Sequence, residues 1–323
     1  MNKIKLEQIS EFIKEKVDVF ICSASFEDRC FSIPQVATKI GVPNNIIFYI
    51  TDLDNKNIII ENTTKLASIL GVATQKFELQ TNEPAFSLKN MSMALSTVFH
   101  KDKPQTFLLD ITTFTHEGML MLFKLLQLRL KTNDKLLLCY NGADGYSCKE
   151  INPKEKWLSK GVGTIRSILG YPGLLDPSKK NHLIILFGFE SERTSRLIDI
   201  YDYDLVSLAF GNQSKSITEE HQKLNLARHE NLLKHYPDAR KFEISLVDAN
   251  ETKAQLLSYI KGYSDFNTVI APMNTKISSI GAGLAAINNP EIQLCYVTAN
   301  QYNVDGYSQP SDDCYIFEVR FSG

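Results

Sequence analysis

Two similar phrases of charged residues follow the first buried strand predicted in each half of the chain. The first half reads Ser-Phe-Glu-Asp-Arg at 25–29, and the second reads Gly-Phe-Glu-Ser-Glu-Arg at 188–193. A carboxylate there could bind ribose hydroxyls, and a guanidinium could bind phosphate through parallel N–H donors. The alternative is local, because acidic residues in a first helical turn complement the helix dipole and pair with arginine. We favour that local role for the glutamates and ligand contact for the arginines. The candidate ligand-binding residues are Ser25, Glu27, Arg29, Glu190 and Arg193.

A second polar group follows the fourth predicted strand of each half. Residues 110–117 read Asp-Ile-Thr-Thr-Phe-Thr-His-Glu, and residues 271–276 read Ala-Pro-Met-Asn-Thr-Lys. Each segment turns from a strand into a helix, and the free N–H groups at a helix start bind anions well. Ordinary N-capping by Thr or Asn explains the same residues, and a carboxylate at position 110 would repel phosphate. The candidate ligand-binding residues are Asp110, Thr112, Thr113, Asn274, Thr275 and Lys276.

The tetrapeptide Asp-Gly-Tyr-Ser occurs twice, at 144–147 and at 305–308, each time shortly after a Leu-Cys-Tyr phrase. Asp-Gly predicts a turn. The tyrosine that follows, Tyr307 in particular, could stack on a base or donate a hydrogen bond, although packing is its commoner role. Because three phrases recur in the same order, we predict that the chain is a duplication of one domain.

The elements that must position these residues follow from the hydrophobic pattern. Short Val, Ile, Leu and Phe runs alternate with segments of helical period, which predicts mainly parallel sheets covered by helices. The predicted fold is α/β, with two tandem Rossmann-like domains of about five strands each, at 1–160 and 181–323. A Gly/Pro-rich connector is predicted at 161–180, with a short helix over Ser159–Leu169. The run Cys314–Arg320 alternates and predicts an added edge strand or hairpin arm.

Parallel sheets bind ligands at the carboxyl ends of their strands, near the point where the strand order reverses. All three groups of candidate residues are predicted at that edge. This common position is the physical reason to treat them as a site.

Composition excludes several other classes of function. A formal net charge of −2 gives no basic surface for bulk nucleic acid. No apolar run approaches the length of a membrane helix, which predicts a cytoplasmic protein without membrane contact. The six cysteines form no C-x-x-C pair, and the histidines at 221, 229 and 235 fall on a polar helix predicted over 217–236, so no metal site is expected. No phosphate loop, dinucleotide fingerprint, nucleophile elbow or H-E-x-x-H motif is present, so we predict no cofactor and assign no catalytic residue.

The segments Leu109–Thr113 and Asn274–Lys276 resemble the strand-four motif of CARF domains, the Rossmann-like sensors of CRISPR systems. A tandem pair in one chain is similar to the SAVED domain of cyclic-nucleotide defence systems. The resemblance implies that both halves bind a cyclic oligonucleotide or related nucleotide, and that a partner protein supplies the output. The first half has His116 near the motif's lysine position and the second half lacks the aspartate, which implies divergence between the halves.

We therefore expect a regulatory protein that binds a nucleotide-like small molecule and acts with a protein partner in prokaryotic antiviral defence. A homo-oligomer is compatible with this expectation. One alternative is an enzyme acting on a nucleotide or NAD, a hydrolase or glycosidase with Glu27, Asp110 or Glu190 as general base. The other is a non-catalytic scaffold whose strand-end loops bind protein only.

Overall fold

The computed structural model describes residues 1–100, 103–147, 149–150, 155–201, 203–211, 227 and 230–321. The chain forms two compact units. Unit 1 comprises Met1–Ile151 together with Asn303–Gly323, and unit 2 comprises Asn152–Tyr302.

Unit 1 is built on a seven-stranded sheet in the order β1-β15-β6-β5-β2-β3-β4. The five strands β4, β3, β2, β5 and β6 are parallel to one another, whereas β15 and β1 are antiparallel to their neighbours. Strands β2 and β5 are buried along their whole length. Its strands are β1 (Asn2–Lys5), β2 (Val19–Ala24), β3 (Asn44–Ile50), β4 (Thr74–Leu79), β5 (Thr106–Asp110), β6 (Lys135–Tyr146) and β15 (Ser308–Val319), and its helices are α1 (Ile9–Phe12), α2 (Ser32–Ile40), α3 (Lys56–Leu70), α4 (Pro84–Val98) and α5 (His116–Arg129).

Unit 2 is built on a six-stranded sheet in the order β11-β10-β9-β12-β13-β8, with β8 antiparallel to β13. A small two-stranded sheet pairs β7 with β14. Its strands are β7 (Ser159–Lys160), β8 (Ile165–Pro172), β9 (Lys180–Leu186), β10 (Leu205–Gly211), β11 (Arg240–Ile244), β12 (Phe266–Pro272), β13 (Gln293–Val297) and β14 (Gln301–Tyr302), and its helices are α6 (Ser191–Ile200), α7 (Ala249–Ile260) and α8 (Lys276–Asn288). Residues 227 and 230–235 are also helical, Tyr236 is not, and the rest of the helix predicted over 217–236, with His221 and His229, lies outside the described residues.

The five parallel strands of each unit have the same order. In unit 1 they run β4-β3-β2-β5-β6, and in unit 2 they run β11-β10-β9-β12-β13. Counted among the five parallel strands alone, each sheet therefore has the order third, second, first, fourth and fifth, which is the Rossmann arrangement. The predicted fold class is confirmed. The order reverses between β2 and β5 in unit 1 and between β9 and β12 in unit 2.

In each sheet, the antiparallel strand next to the fifth parallel strand, which we call the exchanged strand, is not the strand that follows it along the chain. Strand β8 follows β6 in the chain but pairs with β13, and β15 follows β13 but pairs with β6. The unit boundaries therefore differ from the predicted domains, because Asn303–Gly323 belongs to unit 1 and the predicted connector belongs to unit 2. Both partners are remote in sequence, so local patterning does not reveal them.

Two predicted elements are wrong because the strands that pair with them are remote in sequence. The segment Ser159–Leu169 forms β7 and the start of β8 rather than a helix. Glycines mark the turns that bound these strands, since Gly161 after β7 and Gly173 after β8 adopt φ of 72° and 68°. Strand β15 is not an edge strand, because it lies between β1 and β6.

Five of the cysteines are buried and free: Cys22, Cys30, Cys139, Cys295 and Cys314. Burial raises the pKa of Cys30, Cys295 and Cys314 to about 12. Thiols of this kind stay protonated and packed in the core. Within the described ranges, no cluster of His, Cys, Asp and Glu has a geometry that could hold a metal ion. None of the helices in this part of the chain combines the length and apolarity that crossing a bilayer needs.

Unit 2 contains a buried histidine among aromatic rings. Nε2 of His182, in β9, lies 2.7 Å from Oγ of Ser207, and its ring is edge-on to Tyr263 with centroids 4.7 Å apart. Burial lowers the pKa of His182 from 6.5 to about 4. The folded protein thus keeps this ring neutral where the unfolded chain is protonated. The stability it contributes is complete above pH 6.5 and is lost as the pH falls toward 4.

Replacing His182 by Gln, whose amide retains a partner for Ser207, is expected to flatten this pH dependence. Between pH 7 and pH 4 the wild-type protein should lose about 2–3 kcal/mol more unfolding free energy than the variant, at 1.36 kcal/mol per pKa unit. Urea denaturation across this range measures the difference, with His235→Gln, at an exposed position, as the matched control. Equal slopes for wild type and His182→Gln would contradict the prediction.

Candidate functional site

The carboxyl edge of unit 1 gathers most of the predicted site residues. Ser25 and Glu27 follow β2, and Asp110 ends β5, so they lie on either side of the point where the strand order reverses. Helix α5 starts just beyond, with Thr115 as its N-cap accepting a hydrogen bond from the N–H of Gly118. This edge is the place where an open parallel sheet binds its ligand.

A buried ion pair forms the centre of this edge. The Arg29 guanidinium donates to Oε2 of Glu27 from Nη2 at 2.6 Å and from Nε at 3.0 Å. The two side chains are only 3% and 8% exposed. Burial alone would lower the pKa of Arg29, but Glu27 raises it well above its usual range. The arginine therefore stays charged inside the protein.

Ser308, from the start of β15, completes the ion-pair cluster. Its hydroxyl donates to Glu27 at 2.6 Å and accepts from Nε of Arg29 at 2.8 Å. Nη1 of Arg29 donates to the main-chain oxygen of Asn141 at 3.3 Å. In the structure the guanidinium therefore binds protein groups, and a phosphate contact for Arg29 stays a prediction. Pairing with the neighbouring glutamate, the alternative considered for this phrase, is what the structure shows.

Asp110 lies next to this cluster and is almost completely buried, at 2% exposure. Burial raises the pKa of its carboxyl group to about 7, against the lowering effects of Thr112 and of the Arg29 charge. The N–H of Thr112 donates to Oδ1 of Asp110 at 2.9 Å, and its hydroxyl donates to the same atom. The hydroxyl of Thr112 also accepts from the N–H of Asn141 at 3.0 Å. The carboxyl group is thus poised to exchange a proton near neutral pH.

The remaining predicted residues of this edge have local structural partners. The hydroxyl of Thr113 donates to the carbonyl of Ser23 at 2.6 Å. Oγ of Ser25 accepts from the N–H of Glu27 at 3.4 Å. Both residues hold the strand ends in place and are buried, so neither is presented at the surface.

Three half-buried aromatic rings lie beside the ion pair. Tyr307 is edge-on to Phe26, with centroids 5.4 Å apart, and to Tyr146 at 6.5 Å. The Arg29 guanidinium lies 5.5 Å from the centre of the Tyr146 ring. We call Phe26, Tyr146 and Tyr307 the aromatic trio. Its partly exposed rings are of the kind on which a base can stack.

The two Asp-Gly-Tyr-Ser phrases meet in unit 1 instead of occupying equivalent places in two domains. Ser308 pairs with Tyr146 across β15 and β6, and the N–H of Ser147 donates to the carbonyl of Tyr307 at 3.0 Å. The turn predicted at Asp144–Gly145 is wrong, because β6 runs through it to Tyr146 in order to pair with β15. The placement of Tyr307 in the second domain is corrected in the same way.

In unit 2 the glutamates that follow the first strand bind main-chain donors. Oε1 of Glu190 accepts from the N–H groups of Leu158 at 2.7 Å and Ser159 at 2.9 Å. Glu192 accepts from the N–H of Gly161 at 3.0 Å. These carboxylates hold the segment that leads into β8. Glu27 holds the equivalent segment that leads into β15, so the repeated Phe-Glu phrase has one structural role in both units.

The other predicted residues of unit 2 line the ends of β12 and β13. Arg193 donates from Nη1 to the carbonyl of Val297 at 3.0 Å. Asn274 donates to the carbonyl of Phe187 across the point where the strand order reverses. Thr275 is the N-cap of α8, and its hydroxyl donates to the carbonyl of Leu246 at 2.9 Å. Lys276, half-buried, begins the helix.

Gly188 explains why the two loops of unit 2 can approach so closely. A Cβ atom on this residue would lie 2.0 Å from the carbonyl oxygen of Met273. Gly188→Ala should therefore lower the free energy of unfolding by about 1–3 kcal/mol, as overpacking does. The matched control is Gly262→Ala, because a Cβ there meets no atom within 4 Å. Equal chemical-denaturation midpoints for the two variants would contradict the close contact.

Sequence reasoning missed Ser308, Asn141 and one further repeat. The strands β4 and β11 occupy the same edge position in the two sheets, and they read Lys-Phe-Glu-Leu at 76–79 and Lys-Phe-Glu-Ile at 241–244. This was an available signal for the duplication. Ser308 belongs to the repeated Asp-Gly-Tyr-Ser phrase, but no local pattern indicated its partner Glu27, which lies 281 residues away.

The strand order and the edge residues define this chain as a tandem Rossmann-like α/β protein with a buried, charged polar cluster at the carboxyl edge of unit 1. No family model matches it, and no curated protein matches it. Among solved structures, a universal stress protein from Archaeoglobus fulgidus DSM 4304 is similar over 88% of this chain and 97% of its own, at 7% identity and a TM-score of 0.27. A similarity this weak indicates neither the fold nor the function of this chain, and the fold class follows from the strand order.

Proposed function

We propose that the protein is a nucleotide-binding regulatory protein whose ligand site is the carboxyl edge of unit 1. The observation that carries the proposal is the coincidence of the polar cluster with the point where the strand order reverses. Rossmann-like sheets bind nucleotides at that point. The proposal extends to a partner protein that supplies the output, as the resemblance to CARF and SAVED domains implies for antiviral defence.

The aromatic trio supports a ligand that contains a base. Tyr307, Phe26 and Tyr146 are half-buried and stand next to a positive charge that is held inside the protein. Stacking of a base on an aromatic side chain is worth about 1–3 kcal/mol. Phe26 follows β2 at the reversal of strand order, so a stacked base would lie beside the edge where the phosphates of a nucleotide are expected.

The test is a thermal-shift titration of the full chain with nucleotides, NAD and cyclic oligonucleotides. A ligand present at a hundred times its Kd should stabilise the protein by about 2.7 kcal/mol. Phe26→Ala should weaken the binding of that ligand at least fivefold through loss of a stacking surface. Tyr201→Ala, at an exposed position in unit 2, is the matched control. If none of these compounds shifts the unfolding temperature, the proposed function is wrong.

A second candidate is an enzyme acting on a nucleotide or NAD, and the pKa of Asp110 favours it. A carboxyl group that titrates near 7 is suited to general acid–base catalysis. Incubation with NAD and nucleotides, followed by chromatography, would detect product. Asp110→Asn should abolish product formation while leaving the fold intact. Absence of any product from the wild-type protein, with or without a partner, would eliminate this candidate.

A further inference from the structure

The segment of residues 303–308, which we call the strap, leads into β15 over the carboxyl edge of unit 1. Its last residue, Ser308, is held between Glu27 and Arg29. The strap has further contacts: the N–H of Ser147 donates to the carbonyl of Tyr307, Nδ2 of Asn303 lies 3.3 Å from Oγ of Ser147, and Nζ of Lys149 lies 3.8 Å from Oδ1 of Asp305. The Tyr307 ring also packs against Phe26 and Tyr146. The ion pair is therefore one of several attachments of the strap to the edge.

The strap is separated from the regular part of β15. The pairing of β15 with β6 shifts register between Gln309 and Pro310 and again between Pro310 and Cys314. Irregularities of this kind interrupt the ladder and leave residues unpaired. Gly306, with φ of 149°, adds a backbone conformation open mainly to glycine. The strap can thus detach without unzipping the ladder from Cys314 to Val319.

Unit 2 holds its equivalent segment in a different way. The carboxylates of Glu190 and Glu192 accept from the main-chain N–H groups of residues 158, 159 and 161, and β7 pairs with β14. Unit 1 instead uses a carboxylate that Arg29 shares with Ser308. Burying such a pair brings a desolvation cost, so it is a poor device for stability alone.

We propose that the ion pair is a latch, in which a phosphate-bearing ligand takes the place of Glu27 on Arg29 and releases the strap. This inference rests on the proposed function and specifies how the same site is regulated. Arg29 contacts Glu27 through Nε and Nη2 and contacts Ser308 through Nε, so an oxyanion that takes both donors displaces Glu27 and leaves Ser308 with its bond to the Glu27 carboxylate alone. Guanidinium binds phosphate as well as it binds carboxylate. Occupancy of the site is then transmitted to the strap, where a partner protein can read it.

The test is amide hydrogen exchange of the full chain, read by mass spectrometry on peptides that cover the strap. Sodium pyrophosphate at a concentration of about 5 mM serves as the probe, against sodium chloride of equal ionic strength. With pyrophosphate, amide exchange in the strap should be about tenfold faster, because hydrogen bonds to charged groups hold the strap in place. Exchange in the peptide covering Cys314–Val319 should not change. Ser308→Ala should produce the same rise without pyrophosphate. Gln309→Ala, which removes a neighbouring exposed side chain, is the matched control.

The latch is overturned if Ser308→Ala leaves strap exchange at the wild-type rate, or if pyrophosphate leaves it unchanged or lowers it. These outcomes are distinct from failure of the proposed function. A nucleotide that stabilises the protein while the strap stays protected would preserve the binding function and refute the latch. If pyrophosphate releases the strap but no nucleotide stabilises the protein, the latch is supported and the proposed binding of nucleotides is refuted.

Discussion

Asp110→Asn is expected to raise the free energy of unfolding by about 2–4 kcal/mol at pH 8 and by much less at pH 4.5. The carboxyl group titrates near 3.8 when exposed and at about 7 in the folded protein. Each pKa unit corresponds to 1.36 kcal/mol, so the upper end of the range is about three units of difference. The amide is neutral at every pH and removes this penalty.

The direction of the pH dependence follows from the raised pKa. Below pH 3.8 the carboxyl group is neutral in both the folded and the unfolded chain, and the folded state bears no cost. As the pH rises toward 7, the unfolded chain loses its proton first, so the stability contributed by this residue is lost over that range. The wild-type protein and the variant should therefore diverge between pH 4 and pH 7.

Urea denaturation at several pH values measures the divergence, and Asp265→Asn, at an exposed position, is the matched control. A difference between Asp110→Asn and wild type that is the same at pH 4.5 and pH 8 would show that the carboxyl group ionises normally. A gain in stability combined with loss of ligand binding or of product formation would identify Asp110 as a residue kept for function at the expense of stability.

Arg29→Met is expected to lower the free energy of unfolding by about 3–5 kcal/mol, because it leaves the Glu27 carboxylate buried without its cation. Glu27→Gln should cost a similar amount, because it leaves the guanidinium without its counterion. The double variant should cost clearly less than the sum of the two, since no unpaired charge remains. A double-mutant cycle by chemical denaturation gives the coupling free energy.

The exposed pair Glu61 and Lys65 provides the matched control in the same unit. Its atoms are 2.8 Å apart, close to the 2.6 Å of the buried pair, but its side chains are more than half exposed. Neutralising Glu61 should cost less than about 1 kcal/mol. The prediction is contradicted if Glu27→Gln lowers the free energy of unfolding no more than Glu61→Gln does. It is also contradicted if the effects at Glu27 and Arg29 add without coupling.

Local patterning was sufficient to predict the ten parallel strands and the edge on which the polar residues lie. The run Thr74–Leu79 and the neighbouring helical segments carry their signal within a few residues, and the structure places them accordingly. The partners of those residues were not predictable in the same way. Arg29 has a glutamate two positions away, which capping rules can suggest, but its contact with Ser308 spans the exchanged strand.

The same limit explains the errors at the connector and at Tyr307. Glycines around β8 indicated turns, and only pairing with β13 converts the residues between them into a strand. Tyr307 follows β13 in sequence, which suggested the second domain, whereas β15 carries it to unit 1. Long-range pairing is set by the complete sheet, so a duplicated sequence does not reveal that its sixth strands are exchanged.

The exchanged strands impose an order on the synthesis of this chain. Strand β6 is translated long before its partner β15, and β8 follows it after the two-residue strand β7, so pairing of β6 with β8 is an antiparallel arrangement available early to the nascent chain. The native pairings become possible only after β13 and then β15 have been made. Unit 2 can therefore close before unit 1, and for that interval β6 presents an unpaired edge, the kind of feature that favours mispairing. The folding yield of this protein should accordingly depend on how fast the ribosome delivers the residues between β6 and the end of β15.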